Sequence, residues 1–130
     1  QLLNAYANTI AYTDRVLAGL LNWLKAQNQQ QVSLLYVSDH GESLGENNLY
    51  LHGMPYAVAP REQTHVPMLL WLPRDTRQQL GLRDDCLNQR LEQPASHDHL
   101  FHTVLSLAGV QTSLYKEQLD LLAGCRTTPR

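Results

Sequence analysis

The chain has 130 residues, enough for one domain of ordinary size and too few for two. Hydrophobic residues make up 43%, which supports a core and excludes global disorder. A net charge of -2 and a pI near 6.3 exclude nucleic acid as the main partner, because a phosphate backbone demands a basic surface.

Leu3, Tyr6, Ile10, Leu17, Leu20, Leu21 and Leu24 recur at intervals of three and four. The spacing predicts a helix from Leu2 to Ala26, ended by the polar run Gln27–Gln31. Val32–Ser38 is short, β-branched and apolar nearly throughout, the pattern of a strand buried on both faces, as in a parallel sheet. Helix followed by buried strand predicts an α/β layered domain. Asp39 to Gln63 reads as a long loop with Gly41, Gly45, Gly53, Pro55 and Pro60. Loops of this length in compact domains are functional or disordered, and this one is too rich in His, Tyr and Leu for a disordered linker. Val66–Leu72 is predicted as a second strand. Pro73–Gln93 is polar and reads as surface loop with a turn of helix. Ser96 is a plausible N-cap for a helix from His97 to Ala108, with Asp98 in its first turn and Gly109 as the stop. Leu100, Val104 and Leu107, with Phe101 and Leu105 beside them, are predicted to face the core. The tail from Thr112 carries no clear signal, and Arg126–Arg130 is expected to fray.

Val32–Val37 and Val66–Leu72 are the longest apolar stretches, far short of the ~20 residues a membrane helix needs. Gln1–Ile10 lacks the basic start and apolar run of a signal peptide. The first residue is Gln and the chain opens inside a helix, so the sequence is expected to begin within a longer protein.

The chemistry-bearing stretch is Ser38-Asp39-His40-Gly41-Glu42-Ser43-Leu44-Gly45-Glu46-Asn47, followed by Tyr50-Leu51-His52-Gly53. Asp39 and His40 fall at the predicted end of a buried strand, where open α/β sheets bind ligands. Adjacent strand residues point to opposite faces, so both reach one metal only if the backbone turns, and Gly41 permits a turn. Carboxylate oxygen with imidazole nitrogen suits zinc, but two ligands do not complete a tetrahedral site. A capping aspartate beside a core histidine fits the same residues, and the pair alone does not separate the two readings.

The run SDHGESLGEN, then YLHG and THVPMLLWLP, closely resembles the lipid A phosphoethanolamine transferases, membrane-anchored enzymes of the alkaline phosphatase and sulfatase superfamily. NAYANTIAYTD in the first helix and SHDHLFHTVLSLAGV in the last extend the resemblance over most of the chain. It implies an α/β fold, part of an alkaline-phosphatase-like layered sheet flanked by helices. It implies that residues 1–130 are the C-terminal portion of a sulfatase-like catalytic domain in the periplasm, held at the bacterial inner membrane by N-terminal helices. Asp39 and His40 match the aspartate and histidine that bind the catalytic Zn2+ in that family. His52 matches a histidine that contacts the substrate phosphate or a second zinc. Glu42 follows in the motif and is read as supporting the site without ligating; a loop carboxylate tying backbone amides is the competing reading. The family's threonine nucleophile, glutamate ligand and further lysine and histidine residues are expected upstream. Thr13, Ser43 and Thr64 do not sit in the nucleophile's context. The implied donor is phosphatidylethanolamine and the implied acceptor lipid A. A sulfatase or phosphoglycerol transferase is the enzyme alternative, which the SLGEN and YLHG continuation disfavours. An inactive metal-binding or structural module is the alternative for the 130 residues in isolation.

Cys86 and Cys125 are the only cysteines, and their spacing matches no zinc or redox motif. Either a disulfide or two buried thiols fits the composition. The oxidising compartment implied by the resemblance favours the disulfide, with a partner cysteine elsewhere as the alternative. His97, His99 and His102 crowd the start of the last helix. Surface or capping roles fit them, with a shared metal on one helix face as the alternative.

Overall fold

In the computed structural model, which describes residues 1–27 and 32–127, the first predicted helix is α1, Leu2–Lys25. Tyr6, Thr13, Leu17, Leu21 and Leu24 form a half-buried stripe along it. Leu3, Ile10 and Leu20, also predicted on the apolar face, are exposed. The helix closes with the Ala26 amide donating to the Trp23 and Asn22 carbonyls, and Gln27 Nε2 donating to the Trp23 carbonyl at 3.2 Å. Residues 28–31 of the predicted terminator lie outside the described residues. The chain divides into two compact units, Gln1–Leu72 and Pro73–Arg130.

In the first unit, β1 (Leu34–Val37) pairs with β4 (Met68–Trp71), Leu34 opposite Trp71 and Val37 opposite Met68. The pairing is antiparallel, and every β1 residue is half-buried. This corrects the expectation of a doubly buried strand in a parallel sheet. Parallel neighbours need a crossover of a dozen or more residues, usually helical. Between these strands the single helix is the one-turn α2, Arg61–Thr64, so the chain returns at the end it left.

The segment read as loop has structure of its own. Ser43–Leu44 (β2) and Tyr50–Leu51 (β3) pair antiparallel, Ser43 opposite Leu51 and Leu44 opposite Tyr50. A 3-10 turn at Glu46–Asn48 joins them, with Gly45, Asn47 and Asn48 at positive φ. The Leu44 amide donates to Glu46 Oε2 at 2.7 Å, closing the turn. That bond, after the one from Glu46's own amide, holds the Glu46 carboxyl below its ordinary range.

The second unit holds α3 (Arg74–Gln79), α4 (Asp84–Arg90) and α5 (Asp98–Leu107). Two helices therefore replace the predicted surface loop. Each is too short to show apolar periodicity. Gly81, at φ 63, ends α3 in the left-handed conformation, and Arg77 reaches Asp84 across the break at 2.6 Å. Cys86 in α4 and Cys125 in a C-terminal 3-10 turn form a disulfide, and Cys125 is fully buried.

Of the residues expected to face the core from α5, Leu100, Leu105 and Leu107 are half-buried, but the most buried side is a different one. His102, Thr103 and Ser106 are buried, while Phe101 and Val104 are exposed. The cause is the irregular tail, whose amides lack secondary-structure partners and must find acceptors. The Lys116 amide donates to His102 Nδ1 at 3.0 Å and the Leu121 amide to Thr103 Oγ1 at 3.1 Å. Arg126 donates to Ser106 Oγ at 2.7 Å and to the Leu80 carbonyl at 2.9 Å. Arg126 is thus tied down rather than frayed; residues 128–130 lie outside the described residues. Ser96 does not cap α5 through its hydroxyl. Its amide instead donates to His99 Nδ1 at 3.1 Å. With Nδ1 of both His99 and His102 accepting from backbone amides, the alternative of a metal between these two loses their Nδ1 lone pairs.

Candidate metal centre

Asp39 and His40 leave the end of β1 together. The Ser38 amide donates to the Pro67 carbonyl, continuing the ladder by one bond. Ser38 Oγ then donates to the His40 carbonyl at 2.8 Å, and the Gly41 amide to the Gln63 carbonyl at 2.9 Å. These bonds turn the backbone so that Asp39 Oδ2 comes within 3.7 Å of His40 Nε2. Gly41 is needed here for space and not for a left-handed φ. A Cβ at this position would overlap the Glu62 carbonyl oxygen. Gly41→Ala should therefore destabilise the protein by about 1–3 kcal/mol, the usual cost of overpacking. A urea midpoint equal to wild type, at equal m, would show that α2 moves aside freely.

The tautomer of His40 follows from its partner. Nδ1 lies 2.9 Å from the Gly41 carbonyl oxygen, which can only accept, so Nδ1 carries the proton and Nε2 presents its lone pair toward Asp39 Oδ2. Two ligands about 2.0–2.1 Å from a tetrahedral zinc stand about 3.3–3.4 Å apart. The 3.7 Å pair is close to that separation. The Asp39 carboxyl is held below its ordinary value, chiefly by the His40 amide donating at 3.1 Å, then by its own amide and the nearby His40 imidazole. Its side chain is 88% exposed, so the carboxylate is open to a cation or to water. Imidazole nitrogen and carboxylate oxygen at this spacing suit zinc in both chemistry and geometry.

The β2–β3 hairpin brings the third residue. Glu42 precedes Ser43 and His52 follows Leu51, so the pairing of those two residues sets Glu42 opposite His52. His52 Nδ1 donates to Glu42 Oε1 at 2.6 Å. The His52 ring stacks on His40 with centroids 3.7 Å apart. Leu51 sits at φ 65, a left-handed conformation that costs a branched residue about 1–2 kcal/mol and reorients the chain just before His52. His40, Glu42 and His52 offer donor atoms within 4.8 Å of one another, enough for a metal cluster in themselves. However, 2.6 Å is a hydrogen-bond length, too short for two ligands of one zinc. We therefore read Glu42 as the acceptor that fixes the His52 tautomer, leaving Nε2 of His52 free.

Asp39, His40, Glu42 and His52 thus come together in the first unit, whereas Cys86 and Cys125 belong to the second. Sequence reasoning missed the buried pair Gln63 and Ser43, which are hydrogen-bonded to each other at 2.9 Å and adjoin the site residues in the chain or through the Gly41 amide. A polar residue spaced 20 positions from its partner gives no local signal.

The chain matches the family model described as Sulfatase over residues 1–110. It is 48% identical over 128 residues to the phosphoethanolamine transferase EptA of Salmonella typhimurium, covering 97% of this chain and 23% of that protein. The soluble domain of lipooligosaccharide phosphoethanolamine transferase A from Neisseria meningitidis superposes with a TM-score of 0.92 at 43% identity, covering 98% of this chain and 39% of that one. The structure of the integral membrane form of that protein superposes at 0.91 and 43% identity, covering 97% and 24%. The chain therefore spans about a quarter of the length of the full-length relatives it matches. Its mixed helices and strands have the alkaline-phosphatase-like fold of those domains. With the family model matched over most of its length, the chain belongs to the sulfatase family, and its similarity within that family is to phosphoethanolamine transferases.

Proposed function

We propose that this chain supplies two zinc ligands and a phosphate-contacting histidine to the transfer of phosphoethanolamine from phosphatidylethanolamine to lipid A. Residues 1–130 act as the C-terminal portion of a sulfatase-like catalytic domain in the periplasm. Upstream sequence supplies the threonine nucleophile, the remaining ligands and the inner-membrane helices. The share of the relatives that the chain spans, and the integral membrane nature of one of them, support this arrangement. The observation that carries the reading is the Asp39 Oδ2 and His40 Nε2 pair, 3.7 Å apart with the imidazole tautomer fixed by the Gly41 carbonyl.

Zinc held there supplies positive charge for the phosphoryl oxygens and favours the deprotonated form of an attacking hydroxyl. Asp39 contributes a carboxylate kept ionised by the His40 amide. His40 contributes Nε2 because Nδ1 is engaged. Glu42 holds His52 by Nδ1, which leaves Nε2 as the atom that meets a phosphoryl oxygen. The threonine oxygen attacks phosphorus, the bond to the diacylglycerol oxygen breaks, and diacylglycerol leaves with a proton. A lipid A phosphate oxygen then attacks the same phosphorus, the bond to the threonine oxygen breaks, and that oxygen takes back a proton. The isolated 130 residues, without that threonine, do not turn over.

In the full-length protein, His52→Ala should lower transfer by about 10²–10³-fold, the usual loss for one donor to a developing oxyanion, while the zinc on Asp39 and His40 stays bound. Transfer assays and zinc analysis on one preparation check this. Loss of that zinc would move His52 into its ligand set through Nε2, the atom not engaged by Glu42.

A further inference from the structure

We infer that Gln63 is a positioning residue that fixes the distance between the two limbs carrying Glu42 and His52, and so sets the stacking of His52 on His40. The inference rests on the functional reading above for its catalytic consequence, but not for its geometry.

Gln63 is the one buried residue of α2, 6% exposed, in a helix whose Arg61 and Glu62 are exposed. A buried amide is costly unless its groups are paired, and this one is paired to the loop on both sides. Nε2 donates to Ser43 Oγ at 2.9 Å. Oε1 accepts from the Met54 amide at 3.3 Å. The backbone carbonyl accepts from the Gly41 amide at 2.9 Å. Each partner lies one or two positions from a site residue. Gly41 separates His40 from Glu42, Ser43 follows Glu42, and Met54 is two beyond His52. One side chain thus bridges the outgoing limb at Ser43 and the returning limb at Met54, each within two residues of a site residue.

The hairpin needs that bridge. Its ladder has two residue pairs, Ser43 with Leu51 and Leu44 with Tyr50. Tyr50 and Leu51 are 59% and 67% exposed, so they contribute little burial. Leu51 is also in the left-handed region. Two-stranded hairpins are marginal at best on their own, and this one carries strain besides. Ser43, 1% exposed, is the only fully buried hairpin residue, and its hydroxyl is the group that Gln63 holds. Releasing the bridge lets the returning limb relax around Leu51 and carries His52 off His40. Misplacement by about 1 Å can cost about 10²-fold in rate.

The test uses the full-length protein with Gln63→Met, which keeps the volume and removes both side-chain bonds, and Ser43→Ala, which removes only one and serves if Gln63→Met does not fold. Two readouts are taken. The first is NMR of ring-labelled histidine, with His40 and His52 assigned by single substitution; stacked rings shift each other's resonances, and this does not depend on turnover. The second is steady-state transfer, corrected for folded fraction. We expect loss of the mutual ring shift in both variants. We also expect a fall of about 10–100-fold in kcat with KM within about twofold and zinc content unchanged. The double variant should be no worse than Gln63→Met alone, because the two changes remove the same bond. Unchanged ring shifts in folded protein overturn the inference. So does a loss of ring shift accompanied by wild-type kcat in an active enzyme. Absence of transfer in the wild-type protein, with the ring shifts behaving as expected, would instead count against the functional reading and leave the geometry standing.

Discussion

Alanine at Asp39 or at His40, introduced into the full-length protein, should remove the proposed zinc and lower the proposed phosphoethanolamine transfer by more than about 10³-fold. The size follows from what is lost. Deleting a single neutral donor to a developing oxyanion costs about 10²–10³-fold, and loss of a ligand here removes the charge of an entire cation. Substitution at either position also breaks the local geometry that presents the other. Asp39 Oδ1 accepts the His40 amide at 3.1 Å, and Oδ2 stands 3.7 Å from the His40 ring. Asp39→Asn is the finer variant, because it keeps one acceptor oxygen for that amide and loses the charge. It should retain the fold and lose zinc affinity. Zinc analysis by mass spectrometry beside a transfer assay checks all three variants. Retained zinc with near-normal transfer would sink the assignment of the pair.

The second large effect is on stability. Replacing Cys86 and Cys125 together by serine should cost about 4 kcal/mol in the chain-entropy account of a 39-residue separation. The tail cannot absorb such a loss. It is held to α5 by a few hydrogen bonds, from the Lys116 and Leu121 amides and from the Arg126 side chain to the Ser106 hydroxyl and carbonyl, each worth about 0.5–1.5 kcal/mol net. Its apolar contribution to the core is chiefly Leu122 and Cys125 itself. A serine hydroxyl at position 125 would further need a partner in a fully buried place. Urea unfolding of the wild-type protein with and without reductant, and of the double variant, should show the midpoint of the second unit falling steeply in both cases. An unchanged midpoint would mean that the hydrogen-bonded tail suffices.

What the sequence disclosed, and what it hid, follows from the range over which each feature is encoded. The first helix, the two strands and the last helix were legible because each is a run of apolar residues with its own period. The Asp39–His40 pair was legible because an apolar strand ends there on two polar ligand types. The direction of strand pairing was not, since it depends on whether the connection crosses over, and the Asp39–Pro67 excursion contains helix too short to do so. The β2–β3 hairpin was hidden because two-residue strands have no period. The inward face of α5 was only partly legible: Leu100, Leu105 and Leu107 are half-buried as their spacing suggests, but Phe101 and Val104 are exposed and the fully inward side is His102, Thr103 and Ser106. Those three are chosen by a tail of irregular backbone that needs acceptors, a demand written some 14 to 20 residues away. The role of Gly41 was likewise half-legible. A glycine beside a ligand pair suggests a turn, whereas the Glu62 carbonyl pressed against it is a tertiary fact.

The arrangement also explains how four side chains from two separate stretches are held with modest means. Asp39 and His40 are fixed by backbone bonds at the strand end, and His52 by a carboxylate on the opposite limb. Among the described residues of this region, only Ser43 and Gln63 are buried. The exposed Asp39 and half-exposed His52 remain open to a cation and a charged substrate, as the proposed transfer requires.

The most direct test is diacylglycerol release from a labelled phosphatidylethanolamine by the purified full-length protein before metal removal, after exhaustive chelation, and after zinc is returned. Release that stops on chelation and returns with zinc in the wild-type protein, but does not return in His40→Ala, is the predicted result. Release undiminished in protein shown to be free of zinc would contradict the account.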